Sequence, residues 1–306
     1  MHRTILGLLP PNLFDFDDLD DGIARVMGLL AAAPAELPDD VVLEDHDVAL
    51  ADGHELMVRL YRPTAAARPS PVLYWIHGGG LILGAVAMDD GHCADIAQRL
   101  QIVVASVQYR LAPQWPYPTP LDDCEAGLRW MIEVAGALGV DRSRIVIGGG
   151  SAGGGLAAAL TIRTRDRGEI QPVLQLLRYP MIDDRNVTES SHDIVDGRVW
   201  NRSANIAGWN AYLQGAAGDA DVSADAAPAR ATDLAGLPPT IVTVGALDLF
   251  LDEDIAFARA LLRAGVRTEL RVYPNAFHGS DVMVAHAEVS QRWRQDEVDA
   301  LRRAIE

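Results

Sequence analysis

Ile145-Val146-Ile147-Gly148-Gly149-Gly150-Ser151-Ala152-Gly153-Gly154-Gly155-Leu156 is the stretch whose reading decides the fold. Three β-branched residues predict a buried strand, and the Leu156–Leu160 run, rich in Ala and Leu, predicts a helix. Between them Gly149-Gly150-Ser151-Ala152-Gly153 fits G-x-S-x-G, the tight strand-to-helix turn that lifts a serine hydroxyl clear of a sheet. The helix N-terminus that follows favours negative charge beside Ser151. The same letters also satisfy G-x-G-x-x-G, with Asp166 and Glu169 near the distance of a ribose-binding acid. A plain glycine turn with a capping serine is a third reading. The stretch alone does not choose among them.

Outward from it, strand and helix signals alternate. Val41–Leu50 and Glu55–Tyr61 predict a hairpin turning at Asp52-Gly53. Val72–Ile76, Ile102–Val107, Val173–Leu177, Thr240–Val244 and Glu269–Tyr273 predict further strands. Helices are expected at about 88–100, 121–137, 252–264 and 284–305. Such alternation implies an α/β fold with a mostly parallel sheet and helices on both faces. Residues 1–38, with Leu13, Phe14, Ile23, Val26, Met27 and Leu30 at near-helical spacing and Pro34 and Pro38 after them, predict an appended amphipathic helix. Residues 185–215, carrying Trp200, Trp209 and Tyr212, break the alternation and predict an inserted helical piece. One domain spanning 1–306, with a cap from about 1–38 and 185–215, is the simplest architecture.

Composition narrows the function. The 306 residues suffice for one large α/β domain, and 23% charged residues suit a globular chain. A formal charge of −17 argues against nucleic acid, whose phosphates it would repel. Cys93 and Cys124 form neither a disulfide framework nor a zinc motif, and suit a reducing compartment. The early aspartates (Asp15, Asp17, Asp18, Asp20, Asp21) interrupt any signal peptide, and no charge-free stretch reaches membrane-spanning length. A cytoplasmic location is expected. The sequence leaves a homodimer open.

A serine nucleophile needs a base, an acid that orients the base, and donors for an oxyanion. In hydrolases with this turn the chain order is serine, acid, histidine. Asp248 follows the strand at 240–244, where open α/β sheets place their sites; Asp252 is second choice and better suited, with Glu253, to opening the next helix. His278 follows the strand at 269–273 and precedes Gly279. His286 falls in the expected last helix, His92 in an earlier one, and His2, His46, His54 and His192 read as exposed positions. His77-Gly78-Gly79-Gly80, after the strand at 72–76, offers backbone N–H groups for the oxyanion, joined by Ala152 N–H. His77 itself reads as a residue that holds the loop. The dinucleotide reading gives no role to His77–Gly80, Asp248 or His278, and normally follows a first strand; the hydrolase reading uses all of them.

His77–Gly80, Tyr109-Arg-Leu-Ala-Pro113, Gly149–Gly154, Leu247-Asp248 with Asp252-Glu253, and Tyr273-Pro274 with His278-Gly279 together resemble the hormone-sensitive-lipase-like (family IV) carboxylesterases of the α/β-hydrolase superfamily. The resemblance implies an eight-stranded sheet, a cap, no cofactor and no metal, hydrolysis of short-chain acyl esters, and Gly79, Gly80 and Ala152 as oxyanion donors. Two positions depart from the pattern. Gly150 stands where the branch usually has an acid, or in some members a threonine, so no carboxylate-supported network is expected around the turn. Asp248-Leu249-Phe250 replaces Asp-Pro-Leu.

The function read from these residues is a serine carboxylesterase with Ser151, Asp248 and His278, acting on a small-molecule ester. Leu81, Ile82, Trp200 and Trp209 are the candidate pocket residues, with Leu83 and Tyr212 beside them. An amidase, lactonase or deacetylase could use the same atoms. A binding-only receptor would be expected to lack Ser151 or His278, and both are present.

Overall fold

The computed structural model describes residues 9–31 and 37–306. Eight strands form one sheet in the order β1-β2-β4-β3-β5-β6-β7-β8. They are β1 (Val41–Ala49), β2 (Glu55–Pro63), β3 (Ser70–Ile76), β4 (Val103–Val107), β5 (Val140–Gly150), β6 (Leu174–Arg178), β7 (Thr240–Leu247) and β8 (Thr268–Phe277). β1 and β2 form the expected hairpin, antiparallel to each other and to β4; every later pairing is parallel. Seven helices are labelled: α1 (Leu19–Ala31), α2 (Asp90–Leu100), α3 (Thr119–Glu133), α4 (Ala152–Arg167), α5 (Arg202–Tyr212), α6 (Leu251–Arg263) and α7 (Glu288–Ile305).

The two-residue period of a strand sorts side chains between two cores. Val72, Tyr74 and Ile76 of β3 pack with residues of α3, α4 and α6, whereas Leu73 and Trp75 pack with Cys93, Ile96 and Ala97 of α2 and Leu301 and Ile305 of α7. Helices on both faces explain why β4 and β6 are buried along their whole length.

Several boundaries differ from the sequence reading, and three bear on the site or its cap. Leu13 and Phe14 lie in a turn before α1, while Val26 of the helix is buried. Pro34 and His2 lie outside the described residues. The last helix begins at Glu288, so His286 sits exposed in the preceding turn and not in a helix. β8 runs on to Phe277, through Pro274, because a bulge between Gly245 and Leu247 keeps it paired with β7 until Leu247 meets Phe277.

Residues 185–215 do form helical structure, a short turn at Glu189–Asp193 and then α5. They touch the N-terminal segment directly: Phe14 N–H donates to Gly197 O (2.8 Å), Asn201 Nδ2 donates to Phe14 O (3.3 Å), and Phe14 and Phe16 lean on the Trp200 ring. Among the described residues, no helix is long and apolar enough to cross a membrane.

Candidate active site

Four loops meet at the C-terminal edge of the parallel strands, the side where open α/β sheets build their sites. β3 pairs Ile76 with Gly149 of β5, β5 pairs Gly150 with Arg178 of β6, and β7 pairs Leu247 with Phe277 of β8. The residues after these pairs are His77, Ser151, Asp248 and His278. Asp248 and His278 are thus the next residues on two hydrogen-bonded strands, spaced by the ladder itself at about 4.8 Å.

Ser151 takes φ 57°, ψ −122°, a conformation costing on the order of 1–3 kcal/mol for a non-glycine residue. Its surroundings hold it there: Ser151 N–H donates to Arg178 O (2.9 Å), and Ser151 O accepts from Met181 (2.9 Å) and Gly155 (3.0 Å). Gly153 is required beside it, since a Cβ there would stand 2.0 Å from Ile76 O. The Ser151 hydroxyl donates to His278 Nε2 (2.9 Å), and His278 Nδ1–H donates to Asp248 Oδ2 (2.9 Å). Asp248 is buried, and its other oxygen accepts from Phe250 N–H (3.0 Å). The turn role of Asp248 and its bond to His278 therefore coexist, one on each oxygen. Asp252 instead accepts from Ser190 N–H (2.8 Å). Phe250, at the position where the chain departs from Asp-Pro-Leu, packs edge-on against the His278 ring, 5.1 Å between centroids.

On the opposite side of Ser151, Gly79 (φ +124°) and Gly80 (φ +59°) turn the loop after β3, and Leu83 and Ile82 donate back to Gly79 O. Among the described residues, no acceptor takes the N–H of Gly79, Gly80 or Ala152. His77 holds this loop as expected: it is fully buried, Nδ1–H donates to Gly78 O (2.8 Å), and its ring stacks on Tyr109 at 4.2 Å. Burial pushes its imidazole down to about 4. The Tyr109 hydroxyl donates to His77 O (2.9 Å), and neighbouring Arg110 clamps Asp123 of α3 through Nε and Nη2.

The four candidate pocket residues are all buried. Trp200 lies against the oxyanion loop so closely that a Cβ at Gly80 would stand 1.9 Å from its Cη2. Leu81 and Ile82 continue the loop, and Trp209 packs near Tyr212 on α5.

The sequence reading did not find the charged cluster beneath the His278 loop. Arg178 donates to Glu297 of α7, pairs with Asp281 Oδ2 (3.1 Å) and reaches the ring of half-buried His92; Arg178, Asp281 and Glu297 are all buried. The Tyr179 hydroxyl donates to Asp281 Oδ1 (2.9 Å), and its ring meets the His278 ring edge-on at 4.6 Å. No carboxylate stands at position 150, and those of this cluster reach the Ser151 turn at one remove. Asp281 and Glu297 supply the carboxylates through Arg178, whose carbonyl also takes the Ser151 N–H. A signal was available: Arg178 ends a strand otherwise read as buried, and a buried guanidinium demands an acid partner. Glu253 is a second buried acid; its Oε1 accepts from Ile182 (3.0 Å) and Asp183 (3.2 Å), and burial pushes its carboxyl well up.

With this geometry in place, comparison with known proteins gives the class. The sequence model described as alpha/beta hydrolase fold matches residues 73–281, and the chain belongs to that family, in its hormone-sensitive-lipase-like branch. It is a carboxylic ester hydrolase. It is 33% identical to the carboxylesterase NlhH of Mycobacterium tuberculosis over 99% of this chain and 95% of that protein. It is 34% identical to an ethyl acetate hydrolase of Pseudomonas putida over 90% of this chain and 86% of that protein. Among solved structures it is similar to a bacterial heroin esterase, with TM-score 0.94 and 41% identity, covering 99% of this chain and 96% of that one.

Proposed function

We propose that the chain is a serine esterase of short-chain acyl esters, working through an acyl-enzyme on Ser151. Asp248 orients His278, which takes the Ser151 proton as Oγ attacks the ester carbonyl. The N–H groups of Gly79, Gly80 and Ala152 receive the oxyanion, each worth roughly 3–4 kcal/mol of transition-state stabilisation. His278 then protonates the leaving alcohol and activates the water that frees the acid. The observation that carries this reading is the unbroken hydrogen-bond series from Ser151 through His278 to Asp248, at 2.9 Å in each step.

The short-chain preference is supported by Trp200, backed by Phe14 and Phe16 and packed on Gly80, which leaves little room beside the oxyanion loop. It agrees with one relative's name, ethyl acetate hydrolase. The N-terminal segment and residues 185–215 act together as the cap over the site. The two buried, unbridged thiols fit a cytoplasmic setting.

The test is turnover of a p-nitrophenyl ester series of increasing acyl length. Ser151→Ala and His278→Ala are expected to lose about 10⁴-fold or more in kcat. The intact enzyme should label covalently at Ser151 with a fluorophosphonate and prefer the acetyl and butyryl esters. Near-wild-type turnover by Ser151→Ala would overturn the assignment, and a preference for long acyl chains would overturn the substrate class.

A further inference from the structure

The reaction uses Ser151, His278 and Asp248, yet one wall of the same site is built from buried charge that no step requires. Arg178, Asp281 and Glu297 are each exposed by 2% or less. Burying one cation with two carboxylates is costly unless the geometry is exact, and here it is closely specified. Arg178 Nε donates to Glu297 Oε1 (3.0 Å) and Nη2 to Glu297 Oε2, while Nη1 faces Asp281. Glu297 Oε1 also accepts from Trp293 Nε1 (3.0 Å) and Thr243 Oγ1 (3.2 Å). Trp75 lies under the guanidinium at 5.0 Å.

We propose that Asp281 is a positioning residue for His278, acting through the Tyr179 hydroxyl and held in place by Arg178 and Glu297. The inference rests on the catalytic reading of His278. Three geometric facts lead to it. Asp281 lies three residues beyond His278, in the single helical turn Ser280–Met283, so fixing Asp281 fixes the short segment that carries the imidazole. Tyr179 meets that segment at two points, its ring edge-on to His278 at 4.6 Å and its hydroxyl on Asp281 at 2.9 Å. Arg178 refers both halves of the reacting pair to one residue: its carbonyl takes the Ser151 N–H (2.9 Å), and its side chain pairs with Asp281.

The arrangement also accounts for Gly150. A Cβ there would meet Trp75 at 3.6 Å, Tyr179 at 3.7 Å and Arg178 Cδ at 4.0 Å, ordinary contacts that leave space for a side chain. An acid at that position would join the surroundings of Arg178, which Asp281 and Glu297 already occupy. Asp281 and Glu297 approach from the His278 side and from α7, so support reaches the base loop directly and the nucleophile turn through the backbone of Arg178.

The charged and titratable groups facing this cluster are Glu297 of α7, His92 of α2, Asp89 of the turn before α2, and Asp248 beyond His278. His92 is kept neutral by burial and by Arg178, so it serves Arg178 as an acceptor.

The test compares Tyr179→Phe, Asp281→Ala and Asp281→Asn on a p-nitrophenyl ester, with kcat expressed per competent site counted by fluorophosphonate titration. A merely structural role lowers the number of competent sites; positioning lowers the rate of each one. Tyr179→Phe and Asp281→Ala are expected to lower kcat per site by about tenfold, as small displacements of reacting groups do, with KM unchanged. Asp281→Asn, whose amide oxygen still accepts from Tyr179 but whose amide nitrogen faces Arg178 in place of a carboxylate oxygen, should recover only part of the rate. Wild-type kcat per site in Tyr179→Phe and Asp281→Ala would overturn the proposal. Ser151→Ala runs alongside. If it retains turnover, the catalytic reading has failed; if it is inactive while Tyr179→Phe is unimpaired, only the positioning role has failed.

Discussion

The two sides of Ser151 are held by different physics. On the oxyanion side, the loop His77–Gly84 contains no charged side chain. Its shape comes from glycine conformations, a neutral imidazole stacked on Tyr109, and the Trp200 ring pressed onto Gly80. On the base side, the turn carrying His278 is anchored by an interior ion cluster of Arg178, Asp281 and Glu297. Steric fixing suits a group of backbone donors that must stay still while charge develops nearby. Charged fixing suits a base that must keep one orientation through successive proton transfers. The first side should therefore fail by crowding or by acid, and the second by loss of a hydrogen-bond partner.

The largest effect that separates them is expected at Gly80. Gly80→Ala puts a Cβ into the Trp200 ring and into a left-handed backbone conformation. Displacing the donors should lower kcat by about 100-fold. Adding Trp200→Ala should return part of that loss by clearing the clash, leaving the backbone strain. A double mutant no faster than Gly80→Ala alone would mean that Trp200 does not set the loop.

An effect of comparable size, on stability rather than on rate, is expected from acid. His77 is pushed down to about 4 in the folded chain by burial, against an ordinary value near ~6.5 when unfolded. Between those pH values the unfolded chain binds a proton that the folded chain refuses, so stability rises with pH across this window. The His77 contribution is complete above about pH 6.5 and is lost as pH falls toward 4, by roughly 3 kcal/mol. Urea midpoints measured across this range should show that slope, and His77→Phe should flatten it. An unchanged slope in the variant would assign the acid sensitivity to other groups.

The smallest effect is expected at Gly150. Its φ is not positive and its Cβ position is open, so Gly150→Ala should change kcat by less than about twofold and raise stability by about 0.4–1 kcal/mol. Thermal melting and turnover check both. A large loss of activity would mean that the glycine itself is needed for the serine turn.

What the sequence made legible follows from chain order and strand ends. Ser151, Asp248 and His278 could be picked out because each follows a stretch with strand character, and parallel strands deliver their next residues to one edge. His77–Gly80 could be picked out for the same reason. For the cluster of Arg178, Asp281 and Glu297, the buried arginine signals that an acid is needed but not which one, because the partners come from the turn after β8 and the middle of α7. Only the folding of α7 across the sheet brings Glu297 to Arg178. A strand placed at 173–177 on its apolar residues stops one short of the arginine that ends β6. The true start of α7 was hidden because Val284 and Ala287 continue the apolar spacing into a turn where they are buried without being helical. The packing of Trp200 on Gly80 was equally out of reach, since Trp200 is a large apolar residue in a segment with no regular period.

The pairing of Leu247 with Phe277 has a consequence for how this chain could be rewired. The acid and the base are brought together by a strand ladder, so the 29 residues between them serve as a connector and need not be continuous. Gly265, in the exposed turn between α6 and β8, has φ +81° and nothing within 4 Å of its Cβ position. New termini opened there would leave both strands, and with them the spacing of Asp248 and His278, to re-form by docking, which makes this turn the natural cut for a permuted or two-fragment enzyme.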